Sequence, residues 1–239
     1  MSKFVVAFDV YGTLLDTSSI SGALSKSLHL DKDKADATSA LWRRYQLEYT
    51  WRLNSMKLYQ SFDVITEKSL RHALKESGIS FDDPVVKKLM EAYNILPCFP
   101  DTAILVQQLQ RSDNIKIVIF TNGTHEMASK ALDAAGLSHF ALDLNTVENH
   151  KRYKPDPEIY KGLCKRVGKE NHPEQCWLVS GNPFDVTGSL SSGMRAIYVD
   201  RAHNGWKDEL LPLENPRVLE SMKIVHGLEE IPGLLASLE

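Results

Sequence analysis

Short apolar runs rich in β-branched residues recur along the chain, each bounded by turn residues and followed by a helical pattern. They lie at 4–8 (FVVAF), 115–120, 177–179 and 196–199, with a weaker one at 224–225. A continuous apolar run marks a strand buried on both faces, as in a parallel sheet covered by helices. Between these runs, positions 101–111, 125–135, 157–167 and 184–192 carry helical periodicity. Strand, helix, strand in repetition predicts an α/β fold: a doubly wound parallel sheet, Rossmann-like in its core.

Residues 17–96 break that rhythm. They contain no strand pattern, only helical ones: a long one at 34–56 and others at 59–77 and 84–95. On the long helix Trp42, Tyr45 and Tyr49 follow one stripe, and Arg43, Leu47 and Thr50 lie on a neighbouring one. An all-helical block inserted after the first strand predicts a cap over the sheet. The expected division is a core of 1–16 and 97–239 and a helical cap domain of 17–96.

Composition narrows the classes of function. With 43% hydrophobic residues in 239, the chain can bury a core without disulfides or structural metals. Lys plus Arg number 28 against 31 Asp plus Glu, a net charge of -3 with no long basic run, which argues against nucleic acid as a partner. Small anions need only one or two well-placed cations, so they stay open. No apolar run reaches transmembrane length, and the N-terminal one is too short for a signal peptide, so a cytosolic protein without membrane association is expected. The sequon at Asn122 carries no weight without a secretory signal. Cys98, Cys164 and Cys176 lack the paired spacing of a zinc site and are expected as reduced, partly buried thiols.

Candidate chemistry gathers at strand ends. In open parallel sheets ligands bind beyond the carboxyl ends of the strands, near the point where strand order reverses. Asp9 closes the first run, and the next residues through Asp16 form a turn with Gly12 at its bend. Thr121-Asn122-Gly123, Ser180-Gly181-Asn182 and Asp200-Arg201 close other runs. Taken in order, FDVYGTLLD at 8–16, FTNGT at 120–124, KPDPEIY at 154–160 and SGNPFD at 180–185 resemble the motifs of the haloacid dehalogenase superfamily.

Most members of that superfamily are magnesium-dependent phosphotransferases, and two positions set this chain apart. The phosphatase pattern has a second Asp two residues after its nucleophile, a general acid for an alkoxide leaving group. Tyr11 stands there, and a phenol of ordinary pKa does not shuttle protons near neutral pH. The pattern also has a metal-holding Asp immediately after the Gly of its last motif, and Gly181 stands at that place here. A halide departs without a proton and needs instead a cation, amide donors and a dry pocket.

The segment SALWRRYQLEYTW at 39–51 resembles the cap helix of the L-2-haloacid dehalogenases. That resemblance implies an Asp9 nucleophile acting on a halogenated carboxylic acid, with no metal and no other cofactor. Lys154 would stand beside Asp9 as the substitute cation, with Asp185 pairing Lys154 and helping to activate water. Arg43 would cradle the departing halide, aided by Asn122. Thr121 and the amides of Val10 and Tyr11 would bind the substrate carboxylate, while Leu47, Phe62 and Phe184 would form an apolar wall. Thr13 would hydrogen-bond Asp9, Ser180 and Asn182 would position water or Lys154, and Tyr160 would play a supporting part.

Plainer readings stand beside these roles. An arginine on a helix usually faces solvent, Arg44 is charged too, and the choice of Arg43 rests on the resemblance. Asp185 with Lys154 is equally readable as a structural ion pair. Thr121, Gly181 and Arg44 depart from residues common in dehalogenases, which bears on substrate size and preference. His150 and Lys151 are read as surface loop residues and 203–206 as a turn with a packed Trp206, all without chemistry. The competing functions are a magnesium-dependent phosphatase, a non-catalytic homologue, and a hydrolase of another substrate. Apolar cap surface suits a homodimer, as in related enzymes.

Overall fold

A computed structural model of the chain describes residues 4–109, 114–138 and 143–237. Six parallel strands form one sheet: β1 (Phe4–Phe8), β2 (Ile115–Thr121), β3 (Asp143–Thr146), β4 (Cys176–Ser180), β5 (Arg195–Val199) and β6 (Met222–Val225). Their order is β3-β2-β1-β4-β5-β6. The chain winds outward from β1 through β2 to β3, returns to the other side of β1 as β4, and winds outward again. Strand order therefore reverses beside β1, which puts a crevice at the carboxyl ends of β1 and β4. Every residue of these two strands is buried, as their unbroken apolar runs require.

After β1 the chain leaves the sheet for a block of four helices: α1 (Ile20–Leu28), α2 (Lys32–Met56), α3 (Phe62–Glu76) and α4 (Asp83–Tyr93). They pack on one another, α2 against α1 and α3, and α4 against α1 and α3. The long α2 starts where the Asp31 carboxylate accepts the Lys34 N–H, an N-cap that satisfies one orphan donor. It is tied to α3 by the Trp42 indole N–H, which donates to the Thr66 carbonyl at 2.9 Å. The block joins the sheet through a narrow neck: Asp16 N–H donates to Pro97 O at 2.9 Å, and Phe99 N–H to Leu14 O at 2.9 Å.

The remaining helices are α5 (Thr102–Leu109), α6 (His125–Ala134), α7 (Pro157–Arg166), α8 (Pro183–Ser191), α9 (Pro216–Ser221) and α10 (Ile231–Ala236). α8 lies on β4 and β5 with α7 beside it, and α10 packs on α5. The α/β fold expected from the sequence is the one observed. The end of the helical pattern expected at 101–111 lies outside the described residues. The patterns read from the sequence do not include β3, α1, α9 or α10. β3 (DLNT) is a short edge strand with one partner and little apolar surface to bury. α1 is amphipathic and buries Ile20 and Leu24 among its neighbours in the helical block. Among the described residues, no helix is long and apolar enough to cross a membrane.

Candidate active site

Asp9 follows β1 directly, its N–H donating to Val179 O on β4 at 3.0 Å. The chain then turns tightly, and the Val10 carbonyl accepts from the N–H groups of Thr13, Leu14 and Leu15. Gly12 takes φ +86 at the bend, a conformation that L side chains resist. The turn brings the Thr13 hydroxyl onto Asp9 Oδ2 at 2.8 Å, where Asn182 Nδ2 also donates at 2.8 Å. The same Thr13 oxygen accepts Gly181 N–H at 3.0 Å, joining the two strand-end loops. With Oδ2 held by two donors, Oδ1 is the less encumbered oxygen.

Lys154 reaches Oδ1 from the loop before α7. Its side chain is 1% exposed, and the ammonium donates to Asp9 Oδ1 at 3.2 Å, Phe120 O at 2.7 Å and Asp185 Oδ2 at 2.8 Å. All three ammonium donors are thereby used. The Lys154 N–H donates to Asn122 Oδ1 at 2.9 Å, so Asn122 anchors the loop that delivers the lysine. Asp185, on the first turn of α8, is fully buried and accepts the Tyr160 hydroxyl at 2.7 Å. Burial pushes its carboxyl up to about 6 against the opposing pull of Lys154, with the Asp9 charge adding to the rise. The Tyr160 phenol is pushed well up by burial and then by Asp185, and stays a donor.

Thr121 is buried at the end of β2, its hydroxyl accepting Gly123 N–H at 3.0 Å, and Ser180 likewise accepts Asn182 N–H at 3.1 Å. Tyr11 stacks on Tyr93 at 5.6 Å and tilts against Phe62 at 5.8 Å, so its ring lies under the helical block. Burial first, then neighbouring Tyr93, raises the Tyr11 phenol, which removes it as an acid near neutral pH. Its buried hydroxyl has no partner among the described residues.

Arg43 comes from α2 and crosses to the core, where Nη2 donates to Tyr11 O at 3.1 Å and Asn182 Oδ1 at 3.2 Å. Arg44 is exposed and turns away, to Tyr45 and Glu76. Leu47 is half-buried one turn beyond Arg43, and Phe184 packs edge-on against Trp51 at 5.5 Å. Of the residues without an assigned role, His150 and Lys151 are exposed, and Trp206 packs against Tyr198. The three cysteines are unpaired.

A family model described as haloacid dehalogenase-like hydrolase matches residues 5–193. The chain belongs to that family. Among its relatives, an (S)-2-haloacid dehalogenase of Burkholderia cepacia is 33% identical over 229 residues, 96% of this chain and 93% of that one. A solved dehalogenase with intermediate complex has a TM-score of 0.85 at 30% identity and covers 98% of each chain. The L-2-haloacid dehalogenase from Xanthobacter autotrophicus with chloropropionic acid covalently bound has a TM-score of 0.82 at 26% identity, over 100% of each chain.

Magnesium, which many haloacid dehalogenase-like hydrolases use, does not fit the donor set here. A hard cation of that kind needs several oxygens in octahedral array. In this hydrolase an ammonium occupies the space between the Asp9 and Asp185 carboxylates. A Cβ on Gly181 would lie 2.6 Å from Gly12 O, so a carboxylate there requires the two loops to part. Among the described residues no three His, Cys, Asp or Glu side chains gather as a metal site.

Sequence reasoning missed Gln46 and Tyr93, which lie against Arg43 and Tyr11. The position of Gln46, one turn after Arg43 on α2, was a usable signal. Tyr93, at the far end of the helical block, offered none.

Removing the ammonium with Lys154→Met leaves two buried carboxylates facing each other. The expected loss is about 3–5 kcal/mol of stability at about pH 8. The Asp185 carboxyl binds its proton more tightly in the folded state than in the unfolded chain, so stability from that proton is present at low pH and lost as pH rises through the folded-state value. The deficit should therefore shrink toward about pH 5, where Asp185 is protonated. Urea unfolding at both pH values checks it; a small, pH-independent deficit would contradict the arrangement.

Proposed function

We propose that this chain is an (S)-2-haloacid dehalogenase that hydrolyses a short 2-haloalkanoate to the 2-hydroxyacid through an ester on Asp9, without metal. The observation that carries this reading is the Asp9 carboxylate held between Thr13, Asn182 and a buried lysine, with a cap arginine above it. A core of 1–16 and 97–239 supplies the nucleophile, and a cap of 17–96 supplies the pocket roof.

In the first step Asp9 Oδ1 attacks the halogen-bearing carbon from the side opposite the halogen. The new C–O bond forms as the carbon–halogen bond breaks, and the halide leaves with that electron pair, inverting the carbon. Arg43, with Asn122, stabilises the developing halide charge. Thr121, the amides of Val10 and Tyr11, and the unpartnered Tyr11 hydroxyl receive the substrate carboxylate. Leu47, Phe62 and Phe184 wall the alkyl group.

In the second step water attacks the Asp9 carbonyl carbon and gives its proton to Asp185. The ester C–O bond at that carbon breaks, the departing hydroxyacid oxygen takes the second proton of that water, Asp9 returns as a carboxylate, and Asp185 then gives up its proton to solvent. Ser180 and Asn182 place the water, Lys154 stabilises the tetrahedral oxyanion, and Tyr160 orients Asp185. The phosphatase alternative lacks both an acid at position 11 and a metal site.

The same reading includes a cytosolic location, which the free thiols suit, and a homodimer through apolar cap side chains such as Trp51, Met56 and Leu58. Sedimentation of the purified protein tests the dimer, and a monomer at every concentration refutes it.

Halide release from racemic 2-chloropropionate is the decisive assay. One enantiomer's halide should appear, equally in EDTA and in magnesium, and not at all with Asp9→Ala. Magnesium-dependent cleavage of a phosphate ester in its place would overturn the proposal. Because Asp185 must be ionised to accept water's proton, hydrolysis of the ester intermediate should fall below pH about 6, while the halide-release step does not share that limb. Rapid-quench measurement of the two steps across pH checks this, and an identical acid limb in both would remove Asp185 from its assigned step.

A further inference from the structure

Gln46 lies one turn after Arg43 on α2 and is completely buried. Its Oε1 accepts Arg43 Nη1 at 2.7 Å and the Tyr93 hydroxyl at 3.1 Å, and its Nε2 donates to the Thr66 hydroxyl at 2.7 Å. The surroundings determine which way the amide points. The Thr66 hydroxyl proton is committed to Phe62 O at 2.7 Å, so its oxygen can only accept, and the Gln46 NH2 must face it. The Gln46 oxygen then faces the guanidinium, which can only donate.

Arg43 is thus gripped on both edges. Gln46 holds Nη1 from within the cap, and Tyr11 O and Asn182 Oδ1 hold Nη2 from the core. Asn182 in turn donates to Asp9 Oδ2, so the chain of bonds runs from Gln46 to the nucleophile. Without Gln46, the long arginine side chain regains rotamers that point along the solvent-facing side of α2, with the entropy that favours them.

We propose that Gln46 is a positioning residue for the halide-departure step, acting through Arg43. This assignment rests on the dehalogenase reading above. A glutamine that merely filled the core would matter to folding and to both chemical steps alike. One that orients Arg43 matters to carbon–halogen cleavage and leaves hydrolysis of the ester on Asp9 unaffected. Its influence also grows as the leaving group worsens, because a poorer leaving group draws more on the arginine's charge.

Single-turnover halide release from 2-chloropropionate and 2-bromopropionate tests this in wild type, Gln46→Leu and Gln46→Glu, with ester hydrolysis followed separately by quench and mass spectrometry. In both variants halide release should fall by about tenfold or more, and further for chloride than for bromide, at an unchanged rate of ester hydrolysis. Gln46→Leu leaves three polar partners unpaired. Should it fail to fold, the near-isosteric Gln46→Glu, which keeps an acceptor but sets a negative charge against the guanidinium, decides alone. Wild-type rates in a folded variant, or equal losses for both halides and for ester hydrolysis, overturn the assignment. No halide release from wild type overturns the dehalogenase reading itself, and the role of Gln46 falls with it.

Discussion

Everything about this site is arranged around one buried ammonium. Placing Lys154 at 1% exposure would cost several kcal/mol if it stood alone, and the structure offsets that cost with two carboxylates and a carbonyl. Asp9 follows β1 and Asp185 lies on the first turn of α8, and without the cation between them they would repel one another in a dry crevice. The lysine is what lets two acidic residues share so small a space. It also explains why the Asp185 carboxyl, buried and in the field of Asp9, is pushed up to about 6 and no higher.

The surroundings of that cation suit an ammonium better than a metal ion. A magnesium ion and a lysine ammonium both neutralise a carboxylate, but they ask for different surroundings. The metal wants more oxygens, whereas the ammonium is satisfied with three acceptors, and three are present. Gly181 fits that difference, because the loops after β1 and β4 approach too closely there for a side chain. Tyr11 fits it too: a buried phenol stacked beneath Phe62 and Tyr93 contributes shape and dryness at the place where a proton donor would otherwise stand. Carbon–halogen cleavage needs the first two and not the third.

The helical block adds what the sheet cannot supply. Strand-end loops converge on Asp9, but nothing in the sheet projects over it. α2 crosses that opening and sends Arg43 down to Tyr11 and Asn182, while α3 and α4 bring Phe62 and Tyr93 onto the Tyr11 ring. Because Asn182 bridges Arg43 and Asp9 with the two ends of one amide, the helical-block cation and the Asp9 carboxylate are geometrically linked. In the proposed reaction that link couples cap placement to attack.

The sequence by itself determined the α/β class, five of the six strands, the helical insertion and the order of the strand-end segments that meet around Asp9. These are legible because each is local: a doubly buried strand must be continuously apolar, and a strand-end motif is a contiguous run of residues. β3 escaped because an edge strand with a single partner needs no such run. Only the tertiary structure decided which of Arg43 and Arg44 turns inward, that the Lys154 ammonium is shared between two carboxylates, and that Gln46, Thr66 and Tyr93 close around the arginine. Those outcomes depend on which way a helix faces and on contacts between residues such as Asp9 and Lys154, 145 positions apart. Nothing in the local pattern fixes such distances; they follow from how the cap and the sheet pack.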